Sequence, residues 1–326
     1  MTTRWFSNIY PWQWRILMPM SAALEVVAFL IFFQAVASHR LSHGAPKPWK
    51  SWIFVVIAAT LGLLVSLLLN LGASIQLALH ASSPALPPEF DQRYLIVSTW
   101  GFLVPMVWGF SSRWLPVFMG LRPLRGSLLL VAVALNTAGV VVGFFQRFTA
   151  AGALLLGGAV MAVVAIRFFE RPAKAAKTIN VHETFPLFIR IAYGWLLIAA
   201  ALSIWASCAG EAPGIWGASR HALTVGFIAA MVFSVGQRIL PSFCGMHVLW
   251  SPRLMLVMLV LLMTGCTLCV ASEILAYQDY AAWAWKVLPF SALIELTAVT
   301  LFAVNLILTF LRPPIVVTTP LSMTTE

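Results

Sequence analysis

Long apolar segments alternate with short polar segments along this chain. A helix needs about 20 apolar residues to cross the hydrocarbon core of a bilayer, and several segments reach that length. The segments are continuously apolar and do not alternate residue by residue, so they indicate helices rather than barrel strands. The predicted helices lie near residues 14–37, 51–79, 94–112, 127–146, 150–169, 186–208, 221–240, 253–274 and 285–311. The pattern therefore predicts an all-α, polytopic membrane helical bundle with about nine transmembrane helices.

Two of these segments repeat each other. Residues 99–120 read TWGFLVPMVWGFSSRWLPVFMG and residues 224–245 read TVGFIAAMVFSVGQRILPSFCG, with ten identities in 22 positions. A shared bias toward apolar residues would not align an Arg, a Pro and two Gly. The match therefore indicates an internal repeat at a spacing of 125 residues.

The first and last helices also match each other. Trp12, Trp14 and Leu17 correspond to Trp283, Trp285 and Leu288, and a shared Pro, Ser-Ala and Glu pattern follows. Together these matches predict a first four-helix repeat over residues 1–149, a second over residues 150–274, and a ninth helix with its tail over residues 275–326. Four helices are an even number, so both repeats should have the same orientation, related by an axis along the membrane normal.

Composition and charge agree with a membrane protein. Apolar residues make up 61% of the chain and charged residues only 9%, against about 25% charged residues in soluble domains. The net charge is +10, and in a membrane protein such an excess is typical of cytoplasmic loops rather than of nucleic-acid binding. Of the 20 Lys and Arg residues, six lie on one predicted side: Arg4, Arg15, Arg93, Arg147, Arg220 and Lys286. The other fourteen mark the cytoplasmic side, which places the N-terminus outside and the C-terminus in the cytoplasm.

Two acidic residues lie near the predicted middle of the membrane. Glu25 and Glu295 occupy the same motif in the first and ninth helices. Buried acids are costly in lipid, so they are functional candidates: a protonatable pair, or hydrogen-bond partners of a ligand. The alternative is a neutral carboxylic acid that bonds to a Ser or Thr of a neighbouring helix.

Two histidines fall on the predicted outer side. His80 ends the second helix and His221 opens the seventh, and neutral imidazoles suit haem iron, copper or zinc. Ile96 occupies the position in the first repeat that matches His221, so a metal site would be asymmetric despite the repeat. Each histidine has an alternative role as an amphipathic residue at the headgroup level.

Sulfur-containing residues line one face of the eighth helix. Met263, Cys266 and Cys269 are spaced three residues apart, and soft sulfur ligands would suit Cu(I). Cys is equally a small residue that packs helices in lipid, which is the alternative interpretation.

Arg113 and Arg238 occupy equivalent positions in the two repeats, each followed by x-Leu-Pro. Their guanidinium groups are candidates for binding an anion such as a haem propionate or a phosphate. The alternative is that they anchor their helices at the cytoplasmic interface.

One segment of the second repeat resembles a known family. The run Arg220-His-Ala-Leu-Thr-Val-Gly-Phe227, preceded by Arg190-Ile-Ala-Tyr-Gly-Trp-Leu-Leu197, resembles the signature of the NnrS family. These are bacterial membrane proteins that contain haem and copper and are linked to nitric oxide metabolism. The resemblance implies a bacterial inner-membrane location, with His221 as a metal ligand.

Three functions remain open on these observations. The first is a haem- or copper-binding protein linked to nitric oxide or respiratory stress, with His221 and His80 as ligands and the Arg113 and Arg238 pair holding propionates. The second is a proton-coupled transporter of small solutes that uses Glu25 and Glu295. The third is a non-catalytic subunit that associates with respiratory-chain proteins.

Overall fold

The computed structural model describes residues 12–41, 50–178, 181–209, 213–245 and 249–312. These residues form eleven α-helices and two π-helices, and no strand occurs among them. Nine helical segments of the described chain are long and apolar enough to cross a membrane. The predicted all-α, multi-pass membrane bundle is thereby confirmed.

The chain divides into two compact units between Lys174 and Ala175. The helices of the first unit are α1 (Trp14–Leu41), α2 (Ser51–His80), α3 (Pro88–Ile96), π1 (Val97–Leu103), α4 (Val104–Phe118), α5 (Gly126–Phe144) and α6 (Phe148–Ile166). Here α2 packs against α1, π1, α4 and α5, while α6 packs mainly against α5.

The second unit contains α7 (Phe185–Cys208), α8 (Pro213–His221), π2 (Ala222–Ala229), α9 (Ala230–Phe243), α10 (Pro252–Tyr277) and α11 (Ala284–Phe310). Here α7 packs against α8, π2 and α9, while α10 contacts α8, π2, α9 and, most extensively, α11. The α5–α6 pair of the first unit therefore has a counterpart in the α10–α11 pair of the second.

The internal repeat reappears in the helix boundaries. The composite helix α3–π1–α4 runs from Pro88 to Phe118, and α8–π2–α9 begins and ends 125 residues later, at Pro213 and Phe243. Both composite helices begin earlier than predicted, near 94 and 221 in the sequence analysis. The reason is that each opens with a proline and a stretch less apolar than the rest of the span, which continues the same helix.

Two glycines identical in the repeats end these composite helices. Gly120 and Gly245 have φ of 63° and 73°, in the left-handed region that glycine adopts without a steric penalty. The left-handed backbone conformation therefore explains why both positions are glycine. The same conformation ends α4 and α9 at equivalent places.

The compact units divide at a different place from the predicted sequence repeats. The boundary predicted from the sequence falls between residues 149 and 150, just inside α6. The compact division comes after α6 because this helix packs against α5. The division into two four-helix repeats plus a ninth helix describes sequence similarity, and it stays a prediction.

Candidate metal centre

A cluster of three potential metal ligands lies inside the second unit, where α8 passes into π2. His221 is the last residue of α8, and its Nδ1 atom lies 2.8 Å from Oε2 of Glu273 on α10. π-Helices appear mostly as short insertions within α-helices, and they frequently lie at functional sites. The equivalent π1 in the first unit begins directly after Ile96, so its neighbouring side chain has no donor atom.

The third member of the cluster is Cys269. It lies four residues before Glu273, so both side chains share one face of α10. One donor atom from each of His221, Cys269 and Glu273 lies within 4.8 Å of the other two. A nitrogen, a sulfur and a carboxylate oxygen therefore converge on one point.

Two glycines of α8 let this helix pack closely against α10 at Glu273 and Tyr277. A Cβ atom at Gly217 would lie 1.7 Å from Oε1 of Glu273, and one at Gly214 would lie 2.3 Å from Cβ of Tyr277. Any larger residue at these positions would push α8 away from α10 or displace the carboxylate. The donors converge because α8 has no side chains at the glycine positions that face Glu273 and Tyr277.

Burial sets the electrostatic character of the cluster. Cys269 is buried, the Glu273 side chain is 13% exposed, and the His221 side chain is 43% exposed. An ionised carboxylate that is largely buried requires a partner, and His221 supplies one. His221 and Glu273 can form an ion pair without a metal. The feature that indicates a metal centre is the Cys269 thiol beside this pair.

Cys266 and Glu295 lie next to these three residues. The Cys266 thiol approaches the backbone oxygen of His221 at 3.9 Å. Glu295 projects from α11 toward Gly265 of α10, where a Cβ atom would lie 2.6 Å from Cγ of Glu295. Oε1 of Glu295 is buried and has no hydrogen-bond partner among the described residues. A neutral, protonated Glu295 is the form that such a setting favours.

The corresponding place in the first unit has no ligand set. Gly139 of α5 faces Leu155 of α6 in the way that Gly265 faces Glu295, because a Cβ atom there would meet the facing side chain within 3 Å. One turn further along α5, a Cβ at Gly143 would lie 2.3 Å from the side chain of Ile96. Apolar and glycine residues thus fill this part of the first unit.

The two histidines predicted as ligands lie in different units. His221 joins the cluster, whereas His80 is the exposed last residue of α2 in the first unit. Two residues of the predicted sulfur face lie at this place: Cys269 joins the cluster and Cys266 borders it. A role of Met263 stays a prediction.

The two equivalent arginines are each held by groups of their own unit. The Arg113 guanidinium stacks over the rings of Trp52 and Trp114, at 4.6 and 5.1 Å from their centroids. The Arg238 guanidinium donates a hydrogen bond to the backbone oxygen of Lys177 and lies over the Phe185 ring. These contacts suit the anchoring interpretation, and anion binding by this pair stays a prediction.

Glu25 also has a partner in its own unit. Its Oε2 accepts a hydrogen bond of 3.1 Å from Nδ2 of Asn70 on α2. The partner is an amide rather than the hydroxyl considered from the sequence. Participation of Glu25 in proton transfer stays a prediction.

Glu273 was missed by the sequence reasoning. The predicted eighth helix ended near residue 274, which placed this acid at the headgroup boundary, where charged residues are common. The available signal was its spacing of four from Cys269, which puts a thiol and a carboxylate on one helix face.

Comparisons with protein-family models, curated proteins and solved structures found no match to this chain. Its function has to be inferred from its residues.

Proposed function

We propose that this chain is an integral membrane protein that binds one transition-metal ion in its second unit. His221, Cys269 and Glu273 would be the protein ligands. The observation that carries the proposal is the convergence of their three donor atoms within 4.8 Å, with Cys269 buried and the Glu273 side chain only 13% exposed.

The donor set favours a borderline divalent ion such as Zn²⁺ or Cu²⁺. Imidazole and thiolate suit both metals, whereas a carboxylate is a hard ligand that Cu(I) accepts poorly. A divalent ion bound by one thiolate, one carboxylate and a neutral imidazole is also electrically neutral as a whole, which suits a low-dielectric site. Binding requires loss of the protons on Cys269 and His221, so affinity should fall at low pH.

Haem is the second candidate, and one contact favours it. If Nδ1 of His221 donates its proton to Glu273, the carboxylate orients the ring and leaves Nε2 as a ligand. The 43% exposure of the His221 side chain agrees with a group bound from outside the α8–α10 interface. Cys269 would then be dispensable, which separates this candidate from the single-ion site.

We further propose a role in nitric oxide or respiratory stress metabolism at the bacterial inner membrane. The support is the resemblance of residues 220–227 to the NnrS signature, which contains the same His221 that heads the ligand cluster. Respiratory-chain proteins are the partners that such a role implies.

Metal analysis and an optical spectrum of the detergent-purified protein test the proposal. We expect roughly one ion per chain and no Soret band. Replacing His221 by Ala or Cys269 by Ser should weaken binding at least roughly tenfold, since loss of even an outer-shell group costs about 10–100-fold.

The matched controls are His80→Ala and Cys208→Ser, which remove the same side chains from the exposed ends of α2 and α7. Both should bind like the wild type. A Soret band that survives Cys269→Ser would favour haem, and a folded protein that takes up neither ion nor haem would refute the proposal.

A further inference from the structure

We infer that the first unit carries a binding site for the phosphate of an anionic phospholipid, built by Arg122, Arg125 and Arg167. This site is independent of the metal centre. It lies in the loop that joins α4 to α5 and in the segment that follows α6, on the predicted cytoplasmic side of the first unit.

The three guanidinium groups converge on one carboxylate. Nitrogen atoms of Arg167, Arg125 and Arg122 lie 2.6, 3.1 and 3.9 Å from the oxygens of Glu170. Three positive charges against one negative charge leave a local excess of two. The sequence of the first unit has three other acids, and none lies in these two segments. Glu89 and Asp91 lie at the start of α3, and Glu25 lies within α1.

Backbone hydrogen bonds hold the two segments together, so the arginines are positioned in advance. The amide of Arg125 donates to the carbonyl of Ala165 at 3.0 Å. The amides of Ala173 and Lys174 both donate to the carbonyl of Gly120, at 2.8 and 3.1 Å. Such a frame lowers the entropic cost of ordering long side chains around a ligand.

The three arginines have two roles. One holds the Glu170 carboxylate in place, and the other two keep donors available for a ligand. Arg167 is 17% exposed and makes the closest contact with Glu170, so it fixes the carboxylate. Arg122 and Arg125 are 56% and 44% exposed and use few of their donors on Glu170. A guanidinium carries five N–H donors in a plane that matches phosphate oxygens.

The level of the cluster identifies a lipid as the source of the phosphate. Arg125 directly precedes the span Gly126–Phe144, and Arg167 directly follows the span Phe148–Ile166. Lipid phosphates lie at this boundary, and basic groups between membrane helices bind anionic headgroups.

Titration of the detergent-solubilised full-length protein with phosphatidylglycerol or phosphatidylcholine, read by native mass spectrometry, tests this site. We expect tighter binding of phosphatidylglycerol. Each of Arg122→Gln and Arg125→Gln should weaken it about fivefold. Glu170→Gln should strengthen it, because the competing carboxylate is lost.

The matched control is Arg253→Gln, which removes one exposed arginine from the start of α10 in the second unit. It should leave the preference unchanged. An equal loss in this control would show general charge attraction only, and weaker binding after Glu170→Gln would contradict the arrangement. Displacement by inorganic phosphate at the lipid's own concentration would assign the site to free phosphate and overturn the inference.

Discussion

At the scale of single residues, the two units differ in the side chains that occupy a few equivalent positions. The backbone that places Ile96 before π1 places His221 before π2. Gly139 and Gly265 each allow a close approach of the next helix, which presents Leu155 in one unit and Glu295 in the other. The same framework therefore carries apolar side chains in one unit and candidate metal ligands in the other.

The Glu170 carboxylate gives a residue-scale prediction of pH dependence. The hydrogen bond from Arg167, and the charges of Arg167, Arg125 and Arg122, lower the pKa of Glu170 below its ordinary value of 4.5. A group whose folded-state pKa is lowered stabilises the protein above its unfolded-state value and loses this effect as the pH falls through the folded-state pKa.

Glu170→Gln should therefore lower the melting temperature slightly at neutral pH and leave it unchanged well below pH 4.5. Scanning fluorimetry in detergent at both pH values measures this difference, and added salt should reduce it. The exposed Glu183, replaced by Gln, is the control. A larger effect of Glu170→Gln in acid than at neutral pH would contradict the prediction.

At the scale of elements, the packing of the composite helices depends on positions without side chains. Gly62 of α2 faces π1, where an added Cβ would lie 2.0 Å from the backbone oxygen of Gly101. In the second unit, a Cβ at Gly226 of π2 would lie 2.6 Å from the ring of Trp195. Both π-helices therefore pack with less space than alanine needs.

Gly62→Ala should destabilise the first unit by about 1–3 kcal/mol, because the clash is with backbone and cannot be relieved by a rotamer change. The control is Gly72→Ala in the same helix, where nothing lies within 4 Å of an added Cβ. That change should be neutral or stabilising by up to about 1 kcal/mol, since alanine favours a helix over glycine. Thermal unfolding followed by tryptophan fluorescence compares them, and equal effects would refute the packing argument.

At the scale of the whole molecule, the orientation of the nine candidate spans of the described residues is a prediction from the excess of Lys and Arg on one side. His221 lies eight residues after Pro213 and Glu273 lies four residues before Tyr277, so the candidate ligands lie toward the Pro213 end of the composite helix α8–π2–α9 and the Tyr277 end of α10. Under the positive-inside orientation these ends face outward. The proposed ion would then enter from outside.

Cysteine labelling tests this orientation. In a background with Cys208 and Cys244 changed to Ser, we introduce Ala85→Cys before α3 or Ala173→Cys after α6, both at exposed positions. A membrane-impermeant maleimide applied to intact cells should label the first variant and not the second. Both should be labelled after lysis, and the opposite pattern in intact cells would invert the topology.

Part of this molecule could be predicted from local sequence alone. The apolar lengths predict the nine spans, since a bilayer leaves backbone groups no partners except those within a helix. The shared Gly, Pro and Arg residues predict the equivalence of the two composite helices. The run around His221 resembles the NnrS signature, and the metal-binding role that this resemblance implies for His221 stays a prediction.

The grouping of ligands was decided by tertiary structure. Cys269 and Glu273 lie about fifty residues from His221 in the chain, and either could have faced lipid. They meet His221 because Gly214 and Gly217 let α8 lie against α10, and this approach depends on shape complementarity between two helices. Hydropathy indicates how deeply a residue lies in a membrane. Side-chain contacts depend on which faces of neighbouring helices touch each other, and hydropathy does not contain this information.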